Sequence, residues 1–477
     1  MIQRIMNRSV AFIFILLIIG ACKTPGNIVK TEHIPVPASY TNSHDSTNTA
    51  QIKWKDFFTD KDLISLIDTA LKNNLEVLTT LQEIEVAKSN VRFRKGLLFP
   101  TVNGVAAAGL EKVGTYTSQG AGDASTEITP GEIVPENLAD YFVGLHTTWE
   151  VDVWGKLRYA KKAAFSKYLG SIEGKNFVIT NLVAEVANTY YELLALDSQL
   201  EIIRETIQLQ TNALEIVKVQ KAAAKVSELA VKQFEAQVLN SQSLEFDVLQ
   251  KITESENKVN FLLGRFPQPI VRDKASFKDQ VTLQVKAGIP SQLLGNRPDI
   301  KQAELELVAT KCDVKAARAE FYPSLSITGL LGFQGFKPTY LFLTPQSLAY
   351  SIIGDLAAPL INRSAIKAEF NKAKAYQLEA LYDYQKTILN GYVEVSNQLS
   401  NINNLEQSYN QKSKQVEVLK TSIDISNDLF KSARANYLEV LMTQKEALAS
   451  KLELVETKKQ QYNSVTNLYK ALGGGWK

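Results

Sequence analysis

The chain has 477 residues, 45% of them apolar, enough for a sizeable folded body, and only two cysteines, so no disulfide framework organises it. Its formal charge of +3 falls to +1 once Arg4 and Arg8 leave with an export signal, a balance that gives no reason to expect nucleic acid as a partner. Its histidines, His33, His44 and His146, have no metal-ligand spacing, and no nucleophile elbow or phosphate loop is present, so neither an enzyme nor a cofactor is expected.

Residues 1–21 read as a signal peptide. Arg4 and Arg8 precede an uninterrupted apolar run from Val10 to Ile19, followed by Gly20-Ala21-Cys22. A spanning helix needs about 20 apolar residues, so this run is too short for one. Cys22 sits where a bacterial lipobox places the residue that is acylated and becomes the new N-terminus. Cys312 is then left without a partner and reads as a small half-buried helix residue. Residues 22–52, rich in Thr, Ser, Asn and Pro, read as an extended leader between lipid and body. From Lys53 to Gly96 the spacing is helical, with Leu63, Leu66, Ile67, Ala70 and Leu71 on one face.

Two segments have period-two character, at about 101–152 and 323–358. In the first, a small-residue strand from Thr101 to Val113 precedes Tyr141, Val143, Leu145, Thr147 and Trp149, which alternate with Phe142, Gly144, His146, Thr148 and Glu150. In the second, Leu325, Ile327, Gly329, Leu331 and Phe333 alternate with Ser324, Ser326, Thr328, Leu330 and Gly332, and a return strand runs from about 347 to 358. Such alternation fits strands with one lipid face and one wet face, although a soluble two-hairpin subdomain would look similar. The connections, roughly 114–138 and 334–346, are rich in Gly, Ser, Thr and Pro. Trp149 and Trp154 fall where strand gives way to helix, the place of an interfacial aromatic belt or of an ordinary packing anchor.

The remaining segments lack breakers. Residues 175–263 contain neither Gly nor Pro, and 360–472 contain only Gly391. In the first, Ile179, Leu182, Val186, Tyr190, Leu193, Leu196, Leu200, Ile203 and Ile207 recur every three or four positions, the narrow seam of a coiled-coil-like helix. Each stretch predicts a hairpin of two antiparallel helices of about 45 residues, at about 155–264 and 363–472, with reversals near 218–228 and 427–437.

This order of elements comes twice. At an offset of 223, Leu71, Asn73, Val91 and Pro100 fall on Leu294, Asn296, Val314 and Pro323; at 209, Leu229, Val231 and Gly264 fall on Leu438, Val440 and Gly473. The period is far beyond the roughly 20–50 residues of a solenoid unit, so 53–270 and 271–477 read as two multi-element halves of one architecture. Four strands cannot close a pore alone, and three copies would supply twelve.

The segment from Ile289 to Gly329 resembles the signature of the TolC-like outer membrane factors, in particular the OprM-like lipoproteins of multidrug efflux systems. Arg297, Pro298, Asp299 and Ile300 form its diagnostic core, and Tyr322, Pro323, Ser324 and Leu325 mark the family's helix-to-strand turn. The stretches opening at Trp54 and Trp149 resemble the family as well. The resemblance implies a mainly α protein with a transmembrane β part: a homotrimer with a twelve-stranded outer-membrane barrel and a long periplasmic α-barrel. It would be docked to a periplasmic adaptor protein and an inner-membrane pump, as a passive exit duct for drugs or other small molecules. Pro298 and Asp299 have a physical rationale of their own, since proline is welcome in a first helical turn and a carboxylate complements the positive helix end. That is a structural role without chemistry.

At the two periplasmic reversals the family usually has glycine, and this chain has Ala224 and Ala433. Alanine disfavours the left-handed conformation, so these adaptor-contact tips are expected to turn differently or stay more helical. The family's gate aspartate aligns with Asn427, flanked by Asp424 and Asp428 at i, i+4 spacing. In a trimer those carboxylates would form rings of negative charge at a periplasmic gate; the plainer reading is a solvated face. Two alternatives stay open: a conduit for secreted proteins or metal ions, against which Met442 as the one methionine after the leader argues for soft metals, and a membrane-tethered coiled-coil adaptor.

Overall fold

The computed structural model describes residues 36–40, 47–274, 277, 286–359, 361, 363–432 and 434–477. The signal peptide, Cys22 and Ala433 lie outside the described residues. Helices α1 (Lys61–Asn73) and α2 (Leu75–Gly96) lead into strands β1 (Thr101–Glu111) and β2 (Leu138–Val151), then α3 (Lys156–Ala222) and α4 (Glu228–Leu262). The second half supplies α5 (Pro298–Ala319), β3 (Ser324–Gly335), β4 (Leu348–Ala357), α6 (Ser364–Lys431) and α7 (Tyr437–Ala471). Among the described residues no helix is long and apolar enough to cross a membrane.

The arms of the helical hairpins depart from the expected length of about 45 residues. α3 has 67 residues and α6 has 68, while α4 and α7 have 35 each. α3 starts directly after the strand because Asp152 caps it, accepting from the Leu157 and Arg158 amides at 3.0 and 2.9 Å. It then runs through Gly170 and Gly174, whose intrinsic cost of about 1 kcal/mol each tertiary packing overrides. A side chain at Gly174 would crowd the Gln302 amide at 3.1 Å, so close packing against α5 explains that glycine.

The chain forms two compact units, each built from both halves. One comprises 86–168 and 305–381 and holds the sheet. Its strands form one antiparallel sheet in the order β1-β2-β3-β4, so the two hairpins meet along β2 and β3, with Leu145 paired to Leu331 and Trp149 to Ile327. Below the strands, α5 and α6 pack through Val314, Phe321 and Phe370, and the Cys312 thiol is buried with Ala163 and Ala309.

The other unit comprises described residues within 32–85, 169–304 and 382–477. Seven seam residues of α3, from Leu182 through Ile203, are buried. Above them Trp54, Phe57, Leu63 and Ile67 close over Tyr190, Val465 and Tyr469, with Phe57 stacked on Tyr469 at 4.0 Å. Asp60 caps α1 through the Asp62 and Leu63 amides and also accepts the Tyr190 hydroxyl at 2.8 Å. Burial pushes that phenol upward, so it stays protonated and donates.

The leader is not a free tether along its whole length. Asn48, Thr49 and Ala50 are buried, Asn48 bridges Ala287, and the Thr49 hydroxyl and amide bond Lys286 in both directions at 2.8 and 3.0 Å. Further upstream Tyr40 stacks on Tyr392 of α6. Polar composition indicated no hydrophobic period there, and the segment docks instead by backbone pairing and by single side chains.

Candidate functional site

The register sorts the sheet into two chemically distinct faces. Val102, Leu110, Val143, Leu145, Ile327, Leu331, Phe333, Tyr350, Ile352 and Leu356 share one face, on which no charged residue lies. Most of these are exposed, and Ile352 is 82% so. A patch of such side chains open to water would be a liability, so it implies an apolar surrounding. The opposite face carries Asn103, His146, Thr148, Thr328, Ser326 and Ser351, and every carboxylate of the four strands: Glu111, Asp140, Glu150 and Asp355. No lysine or arginine occurs in any of the four strands. Glu150, Ser326 and Asp355 fall in one cross-strand row, and Glu150 is held by Lys156 at 2.6 Å. Asp140 takes the Gln334 amide at 2.9 and 3.0 Å near the other end of the strands.

On the same polar face Gly144 pairs with Gly332, and the ring of Phe142 lies over both. A side chain at either glycine would come within 2.7 or 2.8 Å of that ring, and within 2.5 Å of the facing backbone. The paired glycines therefore make the depression that buries Phe142 to 8% exposure on an otherwise wet face.

The strand-to-helix corners are fastened by the two tryptophans. Trp149 donates its indole N–H to the Leu98 carbonyl at 3.1 Å, just before β1. Trp154 donates to the Pro323 carbonyl at 2.7 Å, just before β3, and stacks on Tyr322 at 4.7 Å. Each indole thus fastens a different helix-to-strand corner and satisfies a backbone acceptor there.

Arg297 is nearly enclosed. Its guanidinium forks onto Asp299 at 2.6 and 3.0 Å, reaches Glu394 of α6 at 2.6 Å, and donates to the Ala471 carbonyl at the end of α7 at 2.9 Å. Gly391 lies against this group, where a side chain would approach the guanidinium to 3.2 Å, which accounts for the lone glycine of α6. The start of α5 at Pro298 is therefore tied to both arms of the second hairpin.

At the first helical tip the expected change of turn does not occur. Ala224 adopts φ +55°, the left-handed conformation itself, and the end closes through Lys225 N–H to Gln220 O at 2.9 Å. The need to satisfy the last carbonyls of α3 outweighs the Cβ penalty of about 1–2 kcal/mol. The second tip has the same closure, Arg434 N–H to Leu429 O at 2.8 Å. Leu214, Val217, Val231, Phe234 and Val440 join the tips in one apolar cluster. On the last turns of α6, Asp424 and Asp428 are exposed and Asn427 is half-buried; Lys431 reaches Asp428 at 3.3 Å. Among the described residues no group of three or more His, Cys, Asp or Glu side chains is placed to hold a metal ion.

Reading along single strands missed Asp140, Asp355 and Glu111. Their parity was visible, but only the cross-strand register puts them on one face.

The model of the outer membrane efflux protein family matches residues 66–265 and 289–474, most of the chain and both helical hairpins. The chain belongs to the outer membrane efflux protein family. It is 28% identical over 472 residues to the solvent efflux pump outer membrane protein SrpC of Pseudomonas putida, covering 97% of each chain. It is 25% identical to the cation efflux system protein CusC of Escherichia coli O6:H1, over 93% of this chain and 94% of that one. Its fold matches the crystal structure of a membrane protein from Pseudomonas aeruginosa with a TM-score of 0.83 at 24% identity, covering 93% of this chain and 99% of that one. The chain is thus a mainly helical outer membrane efflux channel.

Proposed function

We propose that three copies close their sheets into one twelve-stranded barrel, which continues through the helical hairpins into a periplasmic α-barrel and serves as the passive exit duct of a tripartite efflux system. The observation that carries this reading is the sheet: a mainly apolar face without a charged residue, a face holding every carboxylate of the four strands, and outer strands β1 and β4 without further partners among the described residues. Unpaired strand edges in a bilayer cost several kcal/mol per unsatisfied group, so the edges need other copies of the chain. The apolar face then meets lipid, and the polar face lines an aqueous lumen. Trp149 and Trp154 fit the interfacial level between barrel and helices. The recurrence of two strands, a long helix and a shorter one in 53–270 and 271–477 supports a repeat in which three chains give six equivalent wall segments.

Such a duct supplies a path and no driving force, so export depends on an inner-membrane pump coupled through a periplasmic adaptor at the tips around Ala224 and Ala433. Cys22 anchors the N-terminus by acylation. The cargo is a small organic molecule: a solvent exporter is among the relatives, and with Met442 as the one methionine after the leader the chain has no soft-ligand series for a thiophilic metal. Asp424 and Asp428 stand exposed one turn apart near the tip, where three-fold repetition makes them two anionic rings at the narrow end. Planar-bilayer recordings test both levels. Discrete conductance is expected from the purified protein, with higher conductance and weaker cation preference in Asp424→Ala with Asp428→Ala. Absence of any channel contradicts the duct, and an unchanged double variant removes the gate.

A further inference from the structure

The loop between β1 and β2 is far longer than its task. Adjacent antiparallel strands need only about 2–5 connecting residues, yet residues 112–137 intervene and fold into elements of their own. A short helix, Ser118–Asp123, is followed by a small hairpin whose arms are Glu127–Thr129 and Glu132–Ile133. Its turn is fixed by Gly131 at φ +82°, by the Gly131 amide on the Glu127 carboxylate at 3.1 Å, and by Val134 N–H to Thr126 O at 3.0 Å. The piece is therefore a folded object, not slack chain.

Two observations say where it lies. Ile128, half-buried, borders an open pocket of about 460 Å³ at the strand ends, lined by Glu111, Leu138, Asp140, Gln334 and Ala349 of the polar face and by Ala139, Gly335 and Leu348 of the other. Glu132 meets the Lys337 ammonium at 3.0 Å, and Lys337 stands just beyond the end of β3. The hairpin thus reaches past its own strand pair to the other one, at the strand ends where Glu111 and Asp140 lie. Lys337 is also steadied by the rings of Phe336 and Tyr340, at 5.8 and 5.7 Å.

We propose that residues 126–134 form a lid over the outer mouth of the duct, latched by Glu132 and Lys337, which sets the size of molecule that passes. The inference rests on the reading that the polar face lines the lumen. Glu132 and Lys337 are 60% and 45% exposed, so the latch is weak and shifts the open–closed balance by only about fivefold. A lid of that strength yields to outgoing cargo while it slows bulky solutes entering from outside.

The test places a reporter thiol below the lid, Thr328→Cys in a Cys312→Ser background, in intact cells. Labelling from outside is timed with a small charged maleimide and with a polymer-linked one. Glu132→Lys or Lys337→Glu alone is expected to speed the polymer-linked reagent about threefold to fivefold, the double charge swap to restore the parent rate, and the small reagent to be indifferent. Replacing 126–134 with a short Gly-Ser turn speeds the large reagent further. Equal large-reagent rates in the parent, both single variants and the shortened loop overturn the lid; acceleration by shortening alone overturns the latch. If the small reagent fails to label Thr328→Cys in the parent, the lumen assignment fails instead.

Discussion

Ala224 holds a left-handed backbone that its Cβ resists, at φ +55°. Ala224→Gly relieves that strain and is expected to stabilise the first helical tip by about 1 kcal/mol, seen as a higher denaturant midpoint by circular dichroism with an unchanged slope. A lower midpoint would show that the extra freedom of glycine in the unfolded chain dominates. Arg297 is the opposite case. Its side chain is 6% exposed, between Asp299, Glu394 and the Ala471 carbonyl, and Arg297→Ala leaves Asp299, 17% exposed, without its cation. A loss of about 3–5 kcal/mol is expected, measured by the same unfolding curves. A loss below 1 kcal/mol would mean that the helix start at Pro298 does not depend on the ion pair. Proline and the acidic first turn were legible as a helix start. The fastening to α6 and α7 was not, because Glu394 and Gly391 are almost a hundred residues away and no local pattern links them to Arg297.

At the scale of elements, period carried most of the information. The three-to-four spacing through α3 marked seven residues that are buried, and period two marked β2 and β3 to within three residues at each end. Arm lengths were less legible: the hairpin was expected from about 155, but arms of about 45 residues follow only from the breaker-free stretch after Gly174, and what carries one helix from Lys156 through that glycine is the Asp152 cap and the fit against Gln302. The loop hairpin at 127–133 escaped for a similar reason. Its Gly- and Thr-rich composition reads as irregular chain, and two-residue arms are too short for a period. The paired glycines of the sheet yield a sharper expectation. Gly332→Val drives a side chain into Phe142 and the facing backbone and is expected to destabilise the sheet by about 1–3 kcal/mol, lowering the yield of assembled protein on mild-detergent gels. Gly104→Ala, where nothing lies within 4 Å, serves as the control with wild-type yield.

For the whole molecule, the two hairpins of one chain meet through β2 and β3, an order that strand periodicity does not specify and that leaves β1 and β4 as the edges. A sheet apolar on one side, carboxylate-bearing on the other and open at both edges is incomplete as a monomer in a membrane. Acylation at Cys22 would mask that incompleteness by anchoring even a soluble body. The deciding measurement is the mass, by light scattering in mild detergent, of protein exported with a cleavable signal in place of residues 1–22 and therefore free of lipid. The expected result is a particle of three chains that precipitates when detergent is withdrawn. A single chain that stays dissolved without detergent would contradict it.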